Sequence, residues 1–259
     1  MKISVAQLNP SGDLEDNLEV VRRLTRRARD EGADLVLFPE ETMFTIRHVA
    51  GDLREAVDRD WSTFVQQLSL LAAEESIAIV AGGYESSGEA RPYNTVVAID
   101  GSGRIVSTYR KVHLFDAFSY KESERIKPGD PDDVAVIEID GLRFGVMTCY
   151  DIRFPEIARR LTTAGADVLL VAAAWFKGDH KVEHWETILR TRAIENTVWV
   201  AAAGTSSTNT VGHSAVLDPM GIPVDFLDDE AEGLVTVDVT RKRIEEVREF
   251  LPVLANRRL

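Results

Sequence analysis

The stretch GVMTCYDIRFPE, residues 145–156, sets an apolar run against a charged, turn-forming segment. A cysteine stands at the join, and the proline after it suits the first position of a helix. Strand, turn and helix are the reading, with the thiol of Cys149 at the C-terminal tip of the strand. In chains that alternate strands and helices, that edge is where ligands bind. Cys149 is the only cysteine among 259 residues, so it has no intramolecular disulfide partner. Residue type alone favours a small buried hydrophobe over a nucleophile. Its surroundings have to decide.

Upstream, the runs 134–139 and 142–148 flank Asp140–Gly141, and 93–99 and 104–110 flank Asp100–Gly101–Ser102–Gly103. Both patterns predict hairpins. Residues 2–8 alternate as a strand, and a helix follows from about Asp13 to Asp30, its apolar face made by Leu14, Leu18, Val21, Leu24 and Ala28. ADLVLFPEE (33–41) reads as a buried strand running into two carboxylates. Trp61, Phe64, Val65, Leu68 and Leu71 mark the core stripe of a second helix, and 77–83 is another buried strand.

Downstream, a helix runs from Pro155 to Ala164, then a strand at 167–173 and a helix from about His180 to Asn196. Strands at 198–203, 213–217 and 233–239 precede a last helix near Thr240–Glu249. Hairpins mixed with βα units argue against a purely parallel doubly wound sheet and for mixed sheets covered by helices in layers. No linker, low-complexity segment or short-period repeat interrupts the chain, so residues 1–259 are expected to form a single domain.

Composition narrows the function. The chain is 44% hydrophobic and 28% charged, enough for a sizeable core inside a soluble surface. A formal charge of −13 disfavours nucleic acid and anionic membranes as partners, while a local basic pocket could still hold an anionic small molecule. The N-terminus, MKISVAQLNPSGDLEDN, lacks a signal pattern, and no apolar run approaches the roughly 20 residues of a membrane span. A single cysteine fits a reducing cytoplasm. Neither G-x-G-x-x-G nor G-x-x-x-x-G-K-[ST] occurs, so nucleotide binding has no support.

Three strand ends finish in a reactive group: Glu40 after LVLFP, Lys111 after STYR, and Cys149 after GVMT. Taken singly, Glu40 reads as a loop acid, Lys111 as a surface lysine and Cys149 as core. Taken together they could converge on one pocket. The segments LFPEE, YRKVHLF and GVMTCYDIRFPE, in that order, resemble the glutamate, lysine and cysteine motifs of the nitrilase superfamily of carbon–nitrogen hydrolases, nearly from end to end. CYDIRFPE and HWETILRTRAIEN (184–196) are most similar to its omega-amidase and deaminated glutathione amidase-like branch.

The resemblance implies a four-layer αββα sandwich of two mixed β-sheets flanked by helices, and an amidohydrolase of small, carboxylate-bearing amides working through a cysteine thioester. Cys149 takes the nucleophile position, Glu40 the general base, Lys111 the lysine of the triad, and Glu122 of YKESERIKPGD the second glutamate that holds Lys111 charged. Lys111 and the backbone N–H of Tyr150 are placed to stabilise an oxyanion. A nearby ammonium lowers a thiol pKa, and burial raises that of a glutamate base. By position, Tyr93, Asn94, Phe115, Tyr150, Trp175 and Phe176 are candidate walls of the substrate pocket. No metal or organic cofactor is implied. The helix 180–196 belongs to a homodimer interface in this reading, with Arg190, Arg192, Glu195 and Asn196 otherwise a polar network beneath the sheets. The tail EFLPVLANRRL lies over the partner, and His184–Trp185 packs behind the pocket.

Other details are expected of the cysteine turn. Asp151 and Arg153 form local salt bridges that shape it, and the helix opened by Pro155 favours the thiolate through its dipole. His48, His113, His180, His184 and His213 show neither a Cys–His hydrolase pattern nor zinc-type spacing beyond His180 and His184 at i, i+4. AAAWFKGDHKVEHW (172–185) departs from the Pro-Gly-Ala-Phe-Asn-type run of omega-amidase relatives, which leaves the substrate open. Carbamoyl, ureido or nitrile hydrolysis by the same triad, and a silent binding member, are the alternatives.

Overall fold

The computed structural model describes residues 1–258. The first half of the chain runs β1 (Lys2–Gln7), α1 (Leu14–Asp30), β2 (Leu35–Leu37), α2 (Leu53–Glu75), β3 (Ala78–Glu85), β4 (Tyr93–Ile99) and β5 (Ile105–Arg110). A small hairpin of β6 (Asp116–Ala117) and β7 (Tyr120–Lys121) leads on to β8 (Val136–Ile139), β9 (Leu142–Thr148), α3 (Pro155–Thr163), β10 (Val168–Ala173), α4 (Lys181–Asn196), β11 (Trp199–Gly204), β12 (Ala215–Leu217) and β13 (Pro223–Phe226). The last elements are β14 (Gly233–Asp238) and α5 (Arg241–Phe250).

Two six-stranded mixed sheets result, in the orders β14-β1-β2-β3-β4-β5 and β13-β12-β11-β10-β9-β8. In the first, β1, β2 and β3 are parallel while β14, β4 and β5 join antiparallel. In the second, β9, β10 and β11 are parallel while β8, β12 and β13 join antiparallel. The wiring is the same twice over: β1-α1-β2-α2-β3-β4-β5 matches β9-α3-β10-α4-β11-β12-β13, and each set receives one antiparallel strand beside its first. This repetition of topology has no counterpart in a short-period sequence repeat.

Strand alternation sets the layers. Leu35 and Leu37 face inward with Ile3, Val5 and Val80, against Phe144, Val146 and Leu170 of the other sheet. Val36, between them, faces outward with Ile79 and is covered by Leu18, Val21 and Leu24 of α1 and Phe64 and Leu68 of α2. Ile157 and Leu161 of α3 and Trp185 and Leu189 of α4 cover the second sheet in the same way. The four-layer αββα arrangement is therefore present, with helices on both outer faces.

Local chemistry fixes the boundaries. Asp13 caps α1 by accepting from Glu15 N and Asp16 N, with acids in the first turn and arginines in the last. Helix α2 starts at Leu53, well before the Trp61 stripe, capped by Asp52, and Trp61 and Val65 are half-buried rather than core. Strand β2 is only three residues long where 33–41 was expected. Phe38 N still reaches Val80 O at 2.8 Å, but Pro39 has no N–H to continue the ladder, and the chain turns there. The tail folds back on its own chain, Arg257 donating to Thr163 Oγ1 at 3.1 Å, and its final residue, Leu259, lies outside the described residues. No helix among the described residues is long and apolar enough to cross a membrane.

Candidate active site

The turn after β2 delivers Glu40. Gly82 of β3 makes this possible: a Cβ there would stand 2.3 Å from Glu40 O, so only glycine lets the Glu40 backbone lie against the strand. Lys111 follows the last residue of β5, and Glu122 opens a 3-10 turn (Glu122–Glu124) beyond the β6–β7 hairpin. Cys149 follows β9 and opens a second 3-10 turn, Cys149–Arg153. Its φ of +44° lies in the left-handed region, a strained setting for a side chain, of the kind that accumulates at functional sites.

Glu40, Lys111, Glu122 and Cys149 are all buried and line one pocket. The Lys111 ammonium donates to Glu40 Oε1 at 2.8 Å and to Glu122 Oε2 and Oε1 at 2.9 and 3.1 Å. Asn94 Nδ2 spans the same two carboxylates, at 2.7 Å to Glu40 and 3.2 Å to Glu122. The outer oxygen of Glu40 accepts from Ala174 N at 2.7 Å, and Phe115 N donates to Glu122 at 2.7 Å. Every carboxylate and the amine thus have fixed partners.

The electrostatics follow. Burial alone would lower the Lys111 pKa, but Glu122 and Glu40 outweigh it and hold the ammonium well above its usual value. Burial also raises the Cys149 thiol, and the adjacent Glu40 charge adds to that rise more than Lys111 opposes it. The resting thiol is therefore an S–H, contrary to the expectation of an ammonium-lowered pKa. The carboxyl pushed towards neutrality is Glu41, raised to about 7 by burial and by Glu40 beside it. Glu41 accepts from Tyr84 Oη at 3.0 Å, and both residues line the pocket.

The cysteine turn is held differently from the sequence expectation. Asp151 makes no ion pair with Arg153. Its buried carboxylate accepts from Tyr109 Oη (2.7 Å), Thr148 N (3.0 Å) and His113 N (3.0 Å), and lies 2.8 Å from His113 Nδ1. Tyr109 belongs to the first sheet, so Asp151 ties the two sheets together behind the nucleophile. Arg153 instead lies over the Trp175 ring at 4.6 Å. Arg192 donates to Ile152 O at 2.8 Å and pairs with Glu195, and Asn196 bonds Arg192 O, while Arg190 reaches Gly221 O at 3.3 Å. Helix α3 begins only at Pro155, six residues past the sulfur, so the N-terminal turn at the thiol is the 3-10 turn and not α3.

Among the expected wall residues, Phe115, Trp175 and Phe176 line the pocket. Tyr93 does not: strand alternation points it the other way, where its ring is covered by Arg110 at 4.5 Å and Lys127 at 5.4 Å. Asn94 stands behind the carboxylates rather than forming a wall. Tyr150 packs its ring edge-on against Phe115 at 5.1 Å. As the second residue of the 3-10 turn, it carries one of the opening N–H groups that have no acceptor within the turn. Trp185 packs behind Trp175 at 5.4 Å. Sequence reading missed Glu41, Tyr84, Tyr120 and Lys181 on the pocket wall, and the Ala174 N–H. Only Glu41 carried a signal, as the second acid of PEE. Among the described residues no group of three or more His, Cys, Asp or Glu is arranged to hold a metal; His180 is 3.5 Å from Glu183, and His184 meets Arg153 at 3.4 Å.

The family model described as carbon-nitrogen hydrolase matches residues 2–249. A deaminated glutathione amidase of Escherichia coli O157:H7 is 32% identical over 258 residues, covering 100% of this chain and 97% of that protein. A 2-oxoglutaramate amidase of Bacillus subtilis is 35% identical over 225 residues, 85% of this chain and 83% of that one. Among solved structures, an amidase from Nesterenkonia sp. AN1, with acrylamide added at its active-site cysteine, superposes with a TM-score of 0.81 at 27% identity, covering 97% of this chain and 98% of that one. A carbon-nitrogen hydrolase from Helicobacter pylori G27 shares the fold, with a TM-score of 0.91 at 23% identity over 100% and 95% of the two chains.

Proposed function

The chain belongs to the carbon–nitrogen hydrolase family, hydrolases of non-peptide carbon–nitrogen bonds, and from that premise we propose that it cleaves a small linear amide through a thioester on Cys149. The observation that carries the reading is the Lys111 ammonium bonded to both Glu40 and Glu122 in the pocket that holds the only thiol. Because that thiol rests protonated, attack on the carbonyl needs a base in place, and Glu40 takes the proton as sulfur bonds to carbon. The charge on oxygen is met by Lys111 and the Tyr150 N–H. Glu40 passes its proton to the leaving nitrogen, the C–N bond breaks, and ammonia or an amine departs. Water then gives a proton to Glu40 and attacks the thioester; the acid leaves, and the thiolate recovers the proton. Lys111 stays charged throughout, held by Glu122. The names of the relatives, amidases of deaminated glutathione and of 2-oxoglutaramate, favour an amide that also carries a carboxylate.

The working form is a homodimer in the cytoplasm, where a reducing environment keeps Cys149 a thiol. Ile194 of α4 and Ile222, Val224 and Phe226 at the edge of the second sheet are exposed and apolar, and Ile194 packs against Gly221, a surface suited to a second copy. A monomer by light scattering at micromolar protein would refute the pairing. For the chemistry, a screen of small omega-amides for ammonia release, with intact-mass detection of an acyl adduct on Cys149, is the test. Cys149→Ala is expected to remove turnover, by about 100,000-fold or more, and the adduct with it. Turnover that survives the substitution would overturn the assignment.

A further inference from the structure

Lys181 is a second buried lysine on the wall of the same pocket, only 6% exposed. Unlike Lys111 it has no acid: its ammonium makes no hydrogen bond or ion pair with any described residue. It is surrounded by rings instead, with Phe118 at 4.3 Å and Phe115 and Trp175 at 5.2 Å each. Its backbone is fixed, since Trp175 Nε1 donates to Lys181 O at 2.8 Å. Three costs fall on one residue. The rings shield the charge from part of its water. It has no counter-ion. It also sits at the first position of α4, where the helix dipole favours an anion over a cation. Burial accordingly lowers its pKa, and Arg153 adds to the effect. A residue that breaks several local rules without a partner in the fold is expected to find its partner in a ligand.

The pocket needs such a cation. Glu40 and Glu122 together outnumber the Lys111 charge by one, and Glu41 adds a further carboxyl. An anionic substrate would be repelled by this set. Lys181 lines both the nucleophile pocket and the wider mouth outside it, where Arg47 and Lys177 also lie beside Asp179, on a molecule whose net charge is −13. Building on the amide-hydrolase reading, we infer that Lys181 is the specificity-determining residue of the site: its ammonium, held by a ring of aromatic faces, pairs with a carboxylate carried by the substrate amide away from the scissile bond.

The test uses matched pairs of amides, succinamate and glutaramate against butyramide and valeramide. In Lys181→Met the ratio of kcat/KM, carboxylate amide over neutral amide, is expected to fall about 10- to 100-fold, mainly through KM. Lys181→Arg, which keeps the charge, is expected to retain most of the ratio. An unchanged ratio in Lys181→Met, or an equal loss in Lys181→Arg, would overturn the inference. A binding arm separates this inference from the amide reading. In the Cys149→Ala background, calorimetric titration with succinate is expected to show affinity that weakens about 10-fold or more on adding Lys181→Met. If the wild type cleaves none of the amides, the amide reading fails while the succinate result still decides the role of Lys181. Succinate that binds no better than succinamide would sink it.

Discussion

The two sheets are wired alike yet equipped differently. The tip of β1 passes into Leu8, whereas the tip of its counterpart β9 passes into Cys149. The turn after β2 presents Glu40, whereas its counterpart β10 presents Ala174 with only a backbone N–H, which Glu40 accepts. All three members of the carboxylate–ammonium cluster come from the first half of the chain, and the thiol, the caged Lys181 and the neutral donor come from the second. Topology supplies an address at the strand tips, and residue identity supplies the chemistry. Neither half holds the whole pocket, because the carboxylate–ammonium cluster and the thiol meet only across the junction that Asp151 fastens.

The sharpest way to break this division is to disarm the first sheet. Glu40→Gln is expected to cost about 1,000-fold in kcat. The same change removes the negative charge beside sulfur, so the thiol should become more acidic. Iodoacetamide labelling of Cys149 would show a lower pH midpoint even as turnover collapses, and a midpoint that rises would contradict the assigned electrostatics. Next in size is the fastening itself. Asp151→Asn places a donor where Asp151 accepts from Tyr109, Thr148 and His113, and Tm should fall by roughly 5–10 °C, with a slower turnover at temperatures where the fold is intact. A wild-type Tm would mean that the sheets are joined by their apolar faces alone.

The last test, confined to one pH window, concerns Glu41. Its folded pKa of about 7 stands above the ordinary 4.5, so the folded state binds the proton more tightly than the unfolded chain. That contribution is fully present below pH 4.5 and is lost as pH rises to 7, on the order of 3 kcal/mol in all. Glu41→Gln should therefore gain in Tm relative to wild type between pH 5 and 7 and show a flatter profile. Parallel profiles across that window would refute the shift.

Much of the fold is legible in the sequence because apolar runs ending in a polar residue mark strand tips. Residues 142–148 and 93–99 form strands with the expected limits, and Glu40, Lys111 and Cys149 lie just beyond strand ends, while Glu122 follows a two-residue strand that the sequence does not announce. Other features leave no periodic trace. The hairpin β6–β7 has two-residue strands, and its turn puts Phe118 and Ser119 at φ +52° and +63° without the Asn-Gly that such turns favour. Tyr93 and Asn94 are adjacent in sequence, but neighbours in a strand face opposite ways, so only one of them can face the site. Nothing in HKVEHW shows that aromatic rings lie around Lys181. The raised pKa of Glu41 depends on burial beside Glu40, which the letters PEE do not disclose.

The register of β14 on β1, with Lys2 opposite Asp238, bears on how the molecule is made. During synthesis the second sheet has all its strands by Phe226, while the first still shows an unpaired β1 edge. The sheet that begins first is thus finished last, and the open edge waits for a segment made more than two hundred residues later. A chain cut short before Gly233 would carry every group of the candidate site and still expose a template for pairing with its neighbours, so premature termination should appear as aggregation before it appears as a defect in chemistry.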